Sequence, residues 1–323
     1  MTKAITISAF GGPEVLTLED REIGAPGKGE IRLKQEAIGL NFIDVYQRTG
    51  LYPNPLPFVP GQEGAGTVTA IGPDVTEFKP GDRIAYHGAI GAYAQERLLP
   101  AAKAVPLPED IGFDIGAAIM LKGMTACYLL TMTWPLKPGE TILFHAAAGG
   151  VGLLAVQWAK SIGAHVIGTV GSDEKADLAH AAGADDVINI RSEDFAKRVR
   201  EITEGRGVDV VYDSIGKDTF EASLDCLRPR GLMVSFGNSS GPVSVPSLGI
   251  LATKGSLYLT RPTTAHYFSD RAVELASASM LFDKVRDGTL SIKIGQRFAL
   301  ADAAEAHRAL EGRQTTGSTI LLP

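Results

Sequence analysis

The stretch FHAAAGGVG, from Phe144 to Gly152, constrains this chain more than any other. Its alanines and glycines interrupt an apolar run and leave the backbone bare. Either a helix packs very closely there, or the backbone receives a charged ligand. The flanks decide between the two. TILFHAAA reads as a strand and VGLLAVQWAKSIG as a helix. Ala147, Gly149 and Gly152 then match the pattern small–x–Gly–x–x–Gly at a strand-to-helix turn, the position a dinucleotide-binding turn requires. A side chain at Gly149 would block the approach of a pyrophosphate to the backbone. One at Gly152 would push the helix off the strand. The helix start offers unpaired N–H groups and partial positive charge to phosphates.

The chain beyond this helix supports the dinucleotide reading. HVIGTVG, DVINI, VDVVYDSIG and GLMVSFG read as strands. DEKADLAHAAGA, EDFAKRVREITEG and KDTFEASLDCLRP read as helices between them. Alternating β-α units build a parallel sheet covered by helices, so residues 125–262 are expected to form an α/β, Rossmann doubly wound domain. The first ~120 residues differ. ITISAF, IRLKQEAIGL and GAGTVTAIG read as strands, GGPE, GAPGKGE and KPGDR as turns, and YPNPLPFVPGQE as a loop, because proline cannot donate to a ladder. Residues 1–124 therefore read as a β-rich domain. The tail, 263–323, carries a helical stretch and a final TGSTILLP strand; it is too small to stand alone and is expected to return to the first domain.

Composition narrows the partners. The 323 residues carry a net charge of −6, which gives no electrostatic reason to expect nucleic acid or an anionic membrane. The N-terminus lacks a signal-peptide core, and no apolar run reads as long enough to span a bilayer. Two cysteines, Cys127 and Cys226, cannot form a four-cysteine zinc lobe, and the default compartment is the cytoplasm.

The kind of dinucleotide turns on charge. An NAD site usually carries an acid at the tip of its second strand, about 20 residues after the glycine turn. Here that position is Gly171, followed by Ser172, Asp173, Glu174 and Lys175. An acid at the tip would repel a 2′-phosphate, whereas Gly171 and Ser172 offer room and hydrogen bonds and Lys175 offers charge. The expected cofactor is NADP(H).

The chain also resembles the medium-chain dehydrogenase/reductase superfamily over its full length, through its GQEGAG, GDRIAY and AAAGGVG segments. Within it, the chain is similar to the zinc-independent NADPH:quinone oxidoreductases, especially bacterial ones, through NFIDVYQRTGLYP, FHAAAGGVGLLAVQWAK, VVYDSIGKDTF, RGLMVSFGNSSG, KGSLYLTRP and TTGSTILLP. The resemblance implies a GroES-like, catalytic first domain. Zinc members of the superfamily place a cysteine and a histidine where this chain has Asn41 and Gln62. Neutral amides are poor zinc ligands, so no metal is expected.

Without a metal to polarise it, the substrate must accept hydride readily, as quinones and conjugated enones do. The protein then has to orient the reactants and donate a hydrogen bond to the developing oxyanion. Tyr46 and Tyr52, near the vacated metal position in sequence, are the candidates, since a neutral phenol can donate. Asn41 joins them as a candidate catalytic residue. The resemblance further implies that Asn41 and Tyr46 lie by the nicotinamide, with Tyr128 near the start of a domain-linking helix. Gly149, Gly150 and Val151 would serve the pyrophosphate; Ser214, Phe236 and Asn238 would follow the fourth and fifth strands, and Arg313 would reach in from the tail. Relatives often carry a tyrosine against the adenine where this chain has Ile190; Arg191 could compensate by stacking or by facing the 2′-phosphate. Reduction of another enone or an enoyl thioester, or a mainly structural or RNA-binding role, remain alternatives. SLYLTRP reads as an edge strand that could pair two copies into a homodimer.

Overall fold

A computed structural model of the chain describes residues 1–245 and 247–323. The chain divides into two compact units: Met1–Met124 with Arg271–Asp283 and Ile292–Pro323, and Thr125–Asp270 with Lys284–Ser291. The tail is thus shared. Ser318–Leu322 does return to the first unit, pairing with Glu30–Leu40 in the register Ile320↔Gly39. Residues 263–270 and 284–291, however, belong to the second. There Tyr267 stacks on Tyr128 at 4.6 Å, and Gln157 bonds the backbone of Ser291. These contacts, with partners far away in sequence, override the expectation that the whole tail joins the first unit.

The first unit is built on a seven-stranded sheet that runs Ile294–Ala299, Ser318–Leu322, Glu30–Leu40, Glu63–Ile71, Arg83–His87, Ala104–Pro106, with Glu96–Pro100 also on Glu30–Leu40. Its core gathers the inward positions of these strands, among them Ile31, Leu33, Ile84 and Leu99, all fully buried. A short helix, Phe42–Arg48, leaves the end of Glu30–Leu40 and carries Tyr46. Sequence patterns gave no helix here. Asn41 begins it, with its N–H bonded to Asp44 Oδ2 at 2.9 Å, the reciprocal half of a capping box.

A buried chain of side chains clamps this helix. Arg48 holds Glu311 through both terminal nitrogens, at 2.8 and 2.7 Å, and reaches His307 Nδ1 at 3.1 Å. Arg48 can only donate, so His307 carries its proton on Nε2 and donates it to Tyr93 Oη at 3.1 Å. Tyr93 in turn donates to Asp44 Oδ2 at 3.1 Å.

The second unit is a six-stranded parallel sheet in the order Asp186–Asn189, His165–Val170, Thr141–Phe144, Val208–Asp213, Leu227–Ser235, Tyr258–Thr260. In chain order this is 3-2-1-4-5-6, the doubly wound order of dinucleotide-binding domains, with its switch point between the first and fourth strands. Helices Gly150–Ile162, Asp173–Ala181, Phe195–Ile202 and Phe220–Cys226 alternate with the strands.

Helix Phe113–Tyr128 continues as a π-helical turn to Thr133. Against the expectation that no apolar run is long enough to span a bilayer, Phe113–Thr133 has the length and mean hydropathy (1.5) to do so, but 78% of its apolar window is buried. Burial of that extent marks a core helix.

Candidate active site

At the switch point, strand Thr141–Phe144 ends and His145 N–H donates to Tyr212 O at 3.0 Å. Ala146 takes a left-handed turn, φ 55°, so the chain reverses earlier than a TILFHAAA strand would. Gly149 donates to Ala146 O at 2.9 Å and opens helix Gly150–Ile162, which no side chain caps. The N–H groups of Gly150, Val151 and Gly152 therefore precede the first intrahelical bond, Leu153 N to Gly149 O. A Cβ on Gly152 would strike the carbonyls of Ala146 and Ala147. One on Gly149 would meet only Ala146 O, at 3.1 Å. The glycine at 152 lets the helix seat on its turn; the one at 149 leaves the helix mouth open. The residues present fit a pyrophosphate here.

The tip of the second strand is equally open. A Cβ on Gly171 would meet a single neighbour, Arg191 Nε, at 4.0 Å. Ser172 stands at the N-cap position of helix Asp173–Ala181 without a side-chain capping bond, and Lys175 lies in the first turn. Ile190 N–H donates to Val170 O at 3.0 Å, which sets Ile190 and Arg191 beside Gly171 and Ser172. Ser214 and Phe236 follow their strands as expected. Phe236 N–H bonds Asp213 O at 2.8 Å, Ser239 N–H bonds Ser214 O at 3.2 Å, and Phe236 lies 5.8 Å from the Phe144 ring. Asn238, buried, sits on the same turn. All these groups line the carboxyl edge of one sheet.

One expected position differs, and one falls where the tail was expected to place it. Tyr128 ends helix Phe113–Tyr128 rather than starting a helix; it is buried against Tyr267 and Phe268, and burial pushes its phenol up. Arg313 belongs to the first unit, in a left-handed turn with φ 58°. His145 is fully buried between the hydroxyls of Thr169 and Ser223, 2.9 Å from each; desolvation lowers its pKa and leaves it a structural imidazole.

The first unit holds a second polar cluster. Glu63, wholly buried, takes Asn41 Nδ2 at 2.8 Å and Lys122 Nζ at 2.7 Å on Oε2, and Leu121 N–H at 2.6 Å on Oε1. A Cβ on Gly39 would collide with Glu63 Oε2 and Ala117 O, so glycine makes room for this carboxylate. Tyr46 and Tyr52 meet edge to face, 5.3 Å between centroids, and Tyr52 N–H donates to Tyr46 O at 3.0 Å. Asn41 and Tyr46 are nearly buried, Tyr52 half so. Among the described residues no group of three or more His, Cys, Asp or Glu gathers as metal ligands would. Sequence reasoning missed Glu63 and Lys122. The available signal was a lone lysine in the middle of an apolar helix.

Residues 27–109 match a family model described as an alcohol dehydrogenase GroES-like domain, and residues 150–278 one described as a zinc-binding dehydrogenase. A quinone oxidoreductase of Pseudomonas aeruginosa is 56% identical over the whole of both chains. The chain belongs to the quinone oxidoreductase family. A 2-haloacrylate reductase of a Burkholderia species is 48% identical, covering 100% of this chain and 99% of its own. The Escherichia coli quinone oxidoreductase solved with NADPH superposes with a TM-score of 0.98 at 50% identity, over 99% of this chain and 100% of that one. As a quinone oxidoreductase, the chain carries Asn41 and Gln62, the two positions read from the sequence as replacing zinc ligands, in the stretch matched by the GroES-like model and not in the stretch matched by the zinc-binding one.

Proposed function

We propose that this chain is an NADPH-dependent reductase that delivers hydride to a quinone or related conjugated carbonyl without zinc. The observation that carries it is the open helix mouth at Gly149–Gly152 with the open, basic strand tip at Gly171 and Arg191. Family membership and the NADPH bound by the E. coli relative support it. Bound NADPH supplies the hydride. The N–H groups of Gly150 and Val151 would hold the pyrophosphate against the helix start. Gly171 and Ser172 would leave room for the 2′-phosphate, with Arg191 and Lys175 as its cations. Ile190, Ser214, Phe236 and Asn238 would line the rest of the sheet edge, with Tyr128, Asn41 and Arg313 as further cofactor contacts. Tyr46 or Tyr52 would donate a hydrogen bond to the acceptor oxygen as it gains charge, stabilising that charge where it develops.

The test measures NADPH oxidation over a panel of quinones and enones. Turnover with quinones supports this reading; tight NADPH binding with no turnover of any conjugated acceptor overturns it in favour of a binding role. A second reading, reduction of a conjugated acid, is favoured by the 2-haloacrylate reductase relative and would appear as a higher kcat/KM for halogenated acrylates than for quinones. The buried free thiols Cys127 and Cys226 suit a reducing cytoplasm. Pairing of the edge strand Tyr258–Thr260 would make the protein a homodimer.

A further inference from the structure

An ionised carboxylate in a protein interior needs a cation beside it. Glu63 is wholly buried at the start of strand Glu63–Ile71. Three donors converge on it: Lys122 Nζ at 2.7 Å and Asn41 Nδ2 at 2.8 Å on Oε2, and Leu121 N–H at 2.6 Å on Oε1. Of these only Lys122 carries charge. It stands in helix Phe113–Tyr128, is 5% exposed, and belongs with Glu63 to the first unit. A second carboxylate shares this cation. Asp44 is wholly buried, is repelled by Glu63 and attracted by Lys122, and its Oδ1 has no hydrogen-bond partner. Two buried carboxylates around one positive charge are the electrostatic setting of a bound cation. Here the cation is part of the chain.

Asn41 gives both ends of its side chain to the fold, Nδ2 to Glu63 and Oδ1 as the cap of the Asp44 N–H. Its amide serves the helix and the carboxylate rather than an ion. A metal ion on Glu63 Oε2 would stand about 2.0–2.2 Å from that oxygen, hence within about 5 Å of the ammonium bonded to the same atom. We propose that Lys122 is the resident cation of this cluster: its ammonium holds the place at Glu63 that a metal ion would otherwise take, and so closes the first unit to metal by charge, beyond the loss of ligands at Asn41 and Gln62. Lys122 thereby determines which cation the cluster accepts, a role independent of the reductase reading.

The test removes the tethered cation and offers free ones to the whole chain. Lys122→Ala deletes the atoms of one propylammonium ion and leaves Glu63 uncompensated. The variant should unfold at lower urea concentration than the parent, because breaking a buried pair strands the other charge. Its midpoint should recover as propylammonium is added at constant ionic strength; propanol, the uncharged counterpart, should not restore it. Zn2+ should bind the variant at one ion per chain by metal analysis. Its affinity should exceed that of the unmodified chain about tenfold or more, since even with the screening of bulk water an ammonium about 5 Å away repels a doubly charged ion by that factor. Both effects need the carboxylate, so Lys122→Ala/Glu63→Gln should ignore propylammonium and lose the added zinc. Equal zinc affinity in Lys122→Ala and the unmodified chain overturns the proposal. So does zinc uptake that survives Glu63→Gln, or recovery of Lys122→Ala by propanol as fully as by propylammonium, because Lys122 would then supply packing and not charge. A Lys122→Ala chain that folds only with propylammonium or zinc present supports it. One that neither ion recovers, while the doubly substituted chain folds, overturns it.

Discussion

At Gly171 the choice between two cofactors comes down to charge in a small space. The strand tip is open, with Arg191 Nε 4.0 Å from the position a Cβ would take. Gly171→Asp would place a carboxylate there, against the 2′-phosphate and beside Arg191. The expected outcome is a large loss of NADPH affinity with little change for NADH, since NADH lacks that phosphate and its ribose hydroxyls can donate to the new acid. Arg191→Ala should weaken NADPH alone, by roughly tenfold to a hundredfold if the guanidinium makes a charge-assisted bond worth about 1.5–3 kcal/mol. Preference for NADPH should also fall as salt rises, because part of it is screened Coulomb attraction. Dissociation constants for both cofactors at low and high salt check all three. Equal losses for NADH and NADPH in Arg191→Ala would assign that residue to the adenine or the fold, not to the phosphate.

Elements are held together by groups whose protonation the fold has altered, and helix Phe42–Arg48 is the clearest case. Burial pushes the Asp44 carboxyl up from 3.8 to about 7, against the N–H of Asn41 and the hydroxyl of Tyr93, which pull it down. Burial, with Arg48 alongside, pushes His307 from 6.5 down to about 3. The two act on stability with opposite signs. Folded Asp44 keeps a proton that the unfolded chain releases above about pH 4, so its contribution declines as pH rises toward 7. Unfolded His307 takes up a proton below about pH 6.5 that the folded state refuses, so its contribution declines as pH falls. Between about pH 4 and 6.5 the slopes, each at most about 1.36 kcal/mol per pH unit, nearly cancel. Asp44→Asn keeps an oxygen for Tyr93 and Asn41 but removes the titration. Its stability relative to the parent should therefore improve steadily from about pH 4 to pH 7 and then level off. Urea unfolding across that range tests this, and parallel profiles for parent and variant would refute it. The same region marks the limit of what sequence patterns disclose. The strands and the glycine turn were legible because period and turn residues are local signals. The helix at Phe42 was not, being only seven residues long beside a proline-rich loop, although Asn41 and Asp44 carried its capping signature. The Glu63–Lys122 pair joins residues 59 positions apart; nothing local couples them.

For the whole molecule the open question is how its sheet edges are managed. The parallel sheet of the second unit has two edges, and they differ in chemistry. At one, Asp186–Asn189 carries Asp186 paired with His165 at 2.8 Å, and charge on an edge discourages further pairing. At the other, Tyr258, Leu259 and Thr260 are uncharged, and Tyr258 is 60% exposed. An edge of this kind invites another strand. Pairing with the same edge of a second copy about a two-fold axis would satisfy it in a closed way, joining two six-stranded sheets into one. Light scattering at micromolar concentration should therefore give twice the 34.1 kDa chain mass. Tyr258→Glu brings two like charges together near the axis, where directly opposed like charges destabilise pairing, and should shift the protein to a single-chain mass while its NADPH affinity persists. A single-chain mass for the unmodified protein would refute the pairing. A Tyr258→Glu variant that remains dimeric would place the interface on some surface other than this edge.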